Sequence, residues 1–144
     1  VMYHKIYKIP VLKFIFKTGK AIPIAGRSEA PDVLERAYVR MREVLDEGDV
    51  LGIFPEGGIT RDGEIQPFKP GVERMIAEKP VDVVPIALCN LWGSMFSRRD
   101  PLHKRYPRKL WSVIEMRVGQ AVPAAEVTAA RLQSEVEALR GGGR

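Results

Sequence analysis

The stretch "FPEGGITRDGEIQPFKPG", Phe54 to Gly71, takes over where the apolar run "DVLGIF", Asp49 to Phe54, ends, and it holds four glycines and three prolines. A buried strand that hands the chain to a Gly- and Pro-rich loop belongs to an α/β sheet, where ligand sites form outside the carboxyl ends of strands. Gly57 and Gly58 permit unusual backbone angles and a close approach of ligand, and their successive N–H groups suit an anion. Glu56 offers a carboxylate to a hydroxyl or ammonium group, and a charge at the end of a buried strand is costly unless paired or used. Arg61 and Lys69 are candidates to face a phosphate, Arg61 with the planar fork that fits one. By contrast, "RDGE", Arg61 to Glu64, is a type I′ turn signal, so Asp62, Gly63 and Glu64 read as a turn whose charges point to water.

Outward from this loop, helices and strands alternate. Val33, Leu34, Ala37, Val39, Met41, Val44 and Leu45 form an apolar stripe that ends at Gly48, with Ser28 or Asp32 available as the cap. "GVERMIAE" reads as a short helix with Pro70 near its start, and "VDVVPIAL" as a second buried strand. "KAIPIAG", Lys20 to Gly26, is a short strand in which Pro23 requires an edge or strand-end position. Ahead of it, Ile6, Pro10, Val11, Phe14 and Ile15 recur at near-helical spacing with lysines between them, which suggests one or two short helices before Gly19. Near the end, Trp111, Val113 and Glu115 alternate as in a strand, and Val127, Leu132, Val136 and Leu139 give a closing helix a narrow apolar stripe. The expected fold class is therefore α/β, with a partly parallel sheet flanked by helices.

Composition narrows the function. The chain has 144 residues, one cysteine, two histidines and a net charge of +5. Cys89 lies within an apolar run and reads as a small core residue in a reducing compartment. His4 and His103 are too few for a His-based metal cluster, so no metal site is expected. No apolar run reaches the ~20 residues of a membrane-spanning helix, and no nucleotide-loop or calcium-loop spacing occurs.

The positive charge is concentrated. Between Ser97 and Lys109 stand Arg98, Arg99, Lys104, Arg105, Arg108 and Lys109 against Asp100 alone. With Trp92, Met95 and Phe96 just before them, these residues have the composition of a membrane-surface patch, in which each basic residue contributes ~1 kcal/mol near an anionic surface. The competing interpretation places Trp92 and Phe96 in the core and the charges in solvent. A nucleic-acid or other anion-binding module without enzymatic activity is a further alternative, weakened by slight aromatic interleaving and the lack of a nucleic-acid motif. Nucleic acid is accordingly not an expected partner.

The ordered blocks resemble a known family. "FPEGGITRDGEIQPFKPG" is similar to the Phe-Pro-Glu-Gly block and downstream Phe-Lys-x-Gly of the glycerolipid acyltransferases of the lysophosphatidate and lysophospholipid type, and "VVPIAL" to the Val-Pro-Val/Ile block that follows. The similarity runs from about Gly19 to Leu88. It implies transfer of a fatty acyl group from acyl-CoA or acyl carrier protein to a hydroxyl of a glycerophospholipid acceptor, with no cofactor. It further implies work at the cytoplasmic face of a membrane, and in some members fusion to an upstream transporter or ligase domain.

Departures from the family pattern are equally informative. The family's general base comes from a His-x-x-x-x-Asp motif, yet Ile9 stands five places after His4 and Arg108 five places after His103. Residues 1–140 thus read as an incomplete acyltransferase domain, inactive alone, with 141–144 a frayed tail. Ile59 occupies the position of the family's phosphate-binding Arg, with Arg61 two places on. Ala25 occupies that of a second Arg, with Lys20 and Arg27 nearby. Loss of both arginines implies an acceptor with a substituted phosphate, such as lysophosphatidylethanolamine.

Overall fold

The computed structural model describes residues 1–3, 18–26, 28–58, 63–90 and 113–141. They fall into two compact units, Val1–Phe54 with Ala77–Lys79, and Pro55–Ile76 with Pro80–Arg144.

In the first unit, β1 (Met2–Tyr3) pairs in parallel with β2 (Pro23–Ile24), Met2 opposite Pro23. Proline lacks an N–H, so this short pairing accommodates Pro23 as a longer central ladder would not. Helix α1 (Pro31–Asp46) packs against β2 and buries Ala37, Tyr38, Met41 and Val44. Its start differs from the expected one. Ala30 is the N-cap and makes no side-chain cap bond, while Pro31 opens the helix and Asp32 lies in the first turn. Pro31 supplies the pre-set φ of a first helical residue, and Asp32 a negative charge near the positive end of the helix dipole. The stripe also turns slightly: Tyr38 is buried, whereas Val39, expected inside, is 45% exposed. Beyond the helix Gly48 takes a φ of +79°, which releases the chain from helical geometry.

The expected strand "DVLGIF" has no ladder partner among the described residues. Val50 is 96% exposed and Phe54 68% exposed. An apolar run becomes a strand only when a neighbour takes up its N–H and C=O groups; the Gly52 carbonyl of this run accepts from the Val1 nitrogen at 2.8 Å.

In the second unit, helix α2 begins at Gly71, directly after Pro70, and runs Gly71–Glu78 across the boundary between units, with Val72, Met75 and Ile76 buried. Strand β3 (Ile86–Cys89) pairs antiparallel with β4 (Glu115–Val118), Ile86 opposite Val118 and Cys89 opposite Glu115. The expectation of one long buried strand over "VDVVPIAL" is corrected in two ways. Pro85 cannot donate, so the ladder breaks into an isolated bridge between Val83 and Val122 and the four-residue β3. Burial alternates along β3, with Ala87 and Cys89 inside and Ile86 45% exposed.

A single 3-10 turn, Ala124–Glu126, leads into helix α3 (Ala129–Arg140), which packs on both strands and buries Leu132. Each end of α3 is held. At its start the Thr128 hydroxyl accepts from Arg131 N–H at 3.1 Å, and Glu73 accepts from Ala129 N–H at 2.7 Å. At its end Arg117 of β4 donates to the carbonyls of Leu139 and Arg140 at 3.0 and 3.1 Å, a cation on the negative pole of the helix. Arg117 also pairs with Glu115 and holds that carboxyl below the usual carboxylate range. Close packing completes the join, since a methyl group on Gly119 would lie 2.9 Å from the Pro85 ring and 3.0 Å from Leu139.

Truncation should separate the two helices' apolar positions. Leu132→Ala is expected to cost about 2–5 kcal/mol of unfolding free energy in urea titration, and Val39→Ala within about 0.5 kcal/mol. Gly119→Ala should cost about 1–3 kcal/mol by overpacking. Loss of the Thr128 cap in Thr128→Ala should cost about 1 kcal/mol.

Candidate functional site

The loop singled out by the sequence closes on itself. Lys69 N–H donates to the Pro55 carbonyl at 2.9 Å, joining the two ends of the segment. Inside this ring Glu56 accepts from the Gln66 N–H at 2.8 Å through Oε2. Gly57 adopts a φ of +64°, a left-handed conformation that favours glycine, and a methyl group there would lie 2.8 Å from Lys69 Nζ. The Lys69 ammonium therefore rests against the glycine that follows Glu56. Beside it Gly58 is exposed, and a methyl group there would meet nothing within 4 Å among the described residues. A carboxylate, an ammonium and an exposed glycine backbone thus belong to one loop, groups of the kind that can take a hydroxyl or ammonium group and an anion.

The return arm of the loop is fastened to α3. Phe68 N–H donates to Gln133 Oε1 at 3.0 Å, and Gln133 Nε2 in turn donates to Glu137 at 2.8 Å. Arg140 donates to the Gly63 carbonyl at 3.1 Å and to Glu64 Oε2 at 2.7 Å, its own side chain only 18% exposed. Gly63, at a φ of +86°, has the backbone of a turn residue. Glu64, expected to point to water, is instead tied to Arg140. A shallow cleft lined by Glu64, Ile65, Glu137, Arg140 and Gly141 marks this junction. Sequence reasoning did not single out Gln133 or Arg140. Their signal was present as a polar series Gln133, Glu137, Arg140 at helical spacing, yet such a series ordinarily faces solvent.

Lys20, in the first unit, has a φ of +49° and pairs with Asp49 at 3.1 Å. Cys89 is buried. Arg27, Arg61 and the proposed surface residues Trp92, Phe96, Arg98, Arg99, Lys104 and Arg105 lie outside the described residues, as do the expected helices before Gly19, Trp111 and the tail 142–144. Among the described residues no helix is long and apolar enough to cross a membrane.

Comparison with known proteins agrees with the motif order. The acyltransferase family model matches residues 1–89, which include the whole of the closed loop. The chain is similar to a 1-acyl-sn-glycerol-3-phosphate acyltransferase of Borreliella burgdorferi, 30% identical over 60% of this chain and 34% of that protein. A chloroplastic 1-acyl-sn-glycerol-3-phosphate acyltransferase of Brassica napus is 31% identical over 58% of this chain and 24% of its own length. An N-acylphosphatidylethanolamine synthase of Arabidopsis thaliana is 34% identical over 57% of this chain and 28% of its own length. No solved structure matches. The chain spans about a quarter to a third of the length of these relatives. With the family model covering more than half of its residues, and the Phe-Pro-Glu-Gly block folded as a closed loop, the chain belongs to the glycerolipid acyltransferase family.

Proposed function

We propose that these residues form the acceptor-binding part of an enzyme that moves a fatty acyl group from a thioester, acyl-CoA or acyl carrier protein, to a hydroxyl of a lysophospholipid or glycerol phosphate in phospholipid synthesis. The observation that carries this reading is the closed loop, where the Lys69 ammonium lies against Gly57, next to the hydrogen-bonded Glu56. Lys69 would neutralise the acceptor phosphate, and Glu56 would accept a hydrogen bond from a glycerol hydroxyl or a headgroup ammonium through the capacity that Gln66 leaves unused.

The transfer itself needs a base. The acceptor oxygen attacks the thioester carbonyl, the C–S bond breaks, and the hydroxyl proton passes by way of an imidazole to the departing thiolate. Neither histidine of the 144 residues begins a His-x-x-x-x-Asp motif. This chain by itself therefore binds acceptor without turning it over.

Ile59 in the place of a phosphate-binding arginine favours an acceptor whose phosphate already carries a substituent, such as lysophosphatidylethanolamine. The name of the Arabidopsis relative, which refers to an ethanolamine phospholipid, is in keeping with this choice. The basic segment with Trp92 and Phe96 would hold the protein at the cytoplasmic face of a membrane, where such lipids reside.

Titration of the chain with hexanoyl lysophosphatidylethanolamine, below its micelle concentration, tests the site. Lys69→Ala and Glu56→Ala should each raise Kd about tenfold, as loss of a charge-assisted hydrogen bond predicts. Unchanged affinity in both variants refutes the assignment, and binding of RNA with no response to the lysophospholipid favours a simple anion-binding module. Gly57→Ala should destabilise the loop by about 1–2 kcal/mol because of its positive φ. An assay with acyl-CoA and the same acceptor should show no transfer by the 144-residue chain; robust turnover would overturn the missing-base reading.

A further inference from the structure

We propose that Gln133 and Arg140 of α3 are positioning residues for the acceptor, acting on Glu56 through the backbone of the loop; this rests on the acceptor-binding role of Glu56 given above. Both lie beyond residues 1–89, the part that matches the family model, so the element that orients the loop is supplied by a different stretch of chain.

The geometry forms a chain of constraints. Gln133, Glu137 and Arg140 follow one another at spacings of four and three along α3, which places them on one face. Glu137 accepts from Gln133 Nε2, and this bond orients the amide so that its oxygen meets Phe68 N–H. One turn on, Arg140 holds the Gly63 carbonyl and the Glu64 carboxylate. Between these two anchors lies Gln66, whose N–H sets the position of the Glu56 carboxylate. With residues 63–64 and 68 pinned to a helix, Gln66 N–H has a fixed direction, and Glu56 keeps Oε2 engaged while Oε1 makes no bond among the described residues. Without the anchors the return arm moves independently of α3, and Glu56 loses its reference.

The helix is suited to the task. Thr128 and Glu73 hold its start and Arg117 its end, so both anchors stand on a backbone secured at each terminus. A binding group supported by locked neighbours on a regular element is placed more precisely than one supported by a loop alone.

The test follows hydrogen exchange at the Gln66 and Phe68 amides together with Kd for hexanoyl lysophosphatidylethanolamine. Gln133→Met and Arg140→Met should each speed exchange at both amides and weaken binding about tenfold, with the melting temperature of the rest of the unit little changed. The double exchange Gln133→Glu with Glu137→Gln keeps an acceptor for Phe68 N–H and reverses the bond between the two side chains. It should restore both protection and affinity, which a merely structural loss at this helix would not do. Unchanged exchange and affinity in the Met variants overturns the inference, as does failure of the double exchange to recover binding. If the unsubstituted chain does not bind the lysophospholipid, the acceptor reading falls and takes the positioning role with it. If that chain binds but the Met variants bind equally well, only the positioning role falls.

Discussion

The hydrogen bond from Lys69 N–H to the Pro55 carbonyl is the closure on which the candidate site depends. Bringing the ends of such a segment together costs chain entropy that grows as about (3/2)RT ln n, roughly 2 kcal/mol for a loop of this length before any constant. One backbone hydrogen bond contributes about 0.5–1.5 kcal/mol net. Closure therefore cannot rest on that bond alone. The Glu56–Gln66 bond inside the ring and the bonds to Gln133 and Arg140 outside it supply what the single closure lacks.

This dependence explains the distribution of polar groups in the second unit. Glu56, Glu64, Gln133 and Arg140 all lie at partly buried positions, and each finds a partner. The segment from Phe54 to Gly71 carries three prolines and four glycines, so little regular secondary structure is available to take up its N–H groups. Side-chain oxygens from Glu56 and Gln133 take their place. Gly57 and Gly58 are exposed, with Lys69 the nearest side chain to Gly57 and nothing within 4 Å of a methyl group on Gly58 among the described residues.

Much of this was legible in residue order, and the exceptions have identifiable physical causes. The α1 stripe and the helix after Pro70 follow from periodicity and from proline's fixed φ, both local properties. Val39 was placed on the wrong side because a stripe read from spacing alone does not distinguish adjacent positions at its margin, and Tyr38 took the buried one. "DVLGIF" has the composition of a strand but no ladder partner among the described residues, and pairing is a non-local property. In "VDVVPIAL" the apolar run concealed the effect of Pro85, which divides the pairing at the point where an N–H is missing.

For the site, the block from Phe54 to Gly71 by itself nominated the candidate residues. Glycines that can take positive φ, a carboxylate beside them and a lysine a few residues on are written in the order of the chain, and the family resemblance rests on that order. What only the tertiary structure decided is how Glu56 is engaged and what holds the loop still. A hydrogen bond between residues 10 apart, and others between residues 65, 76 and 77 apart, leave no local trace in composition or spacing. Gln133 and Arg140 look like ordinary surface residues of a helix until the chain returns and lays the loop against them.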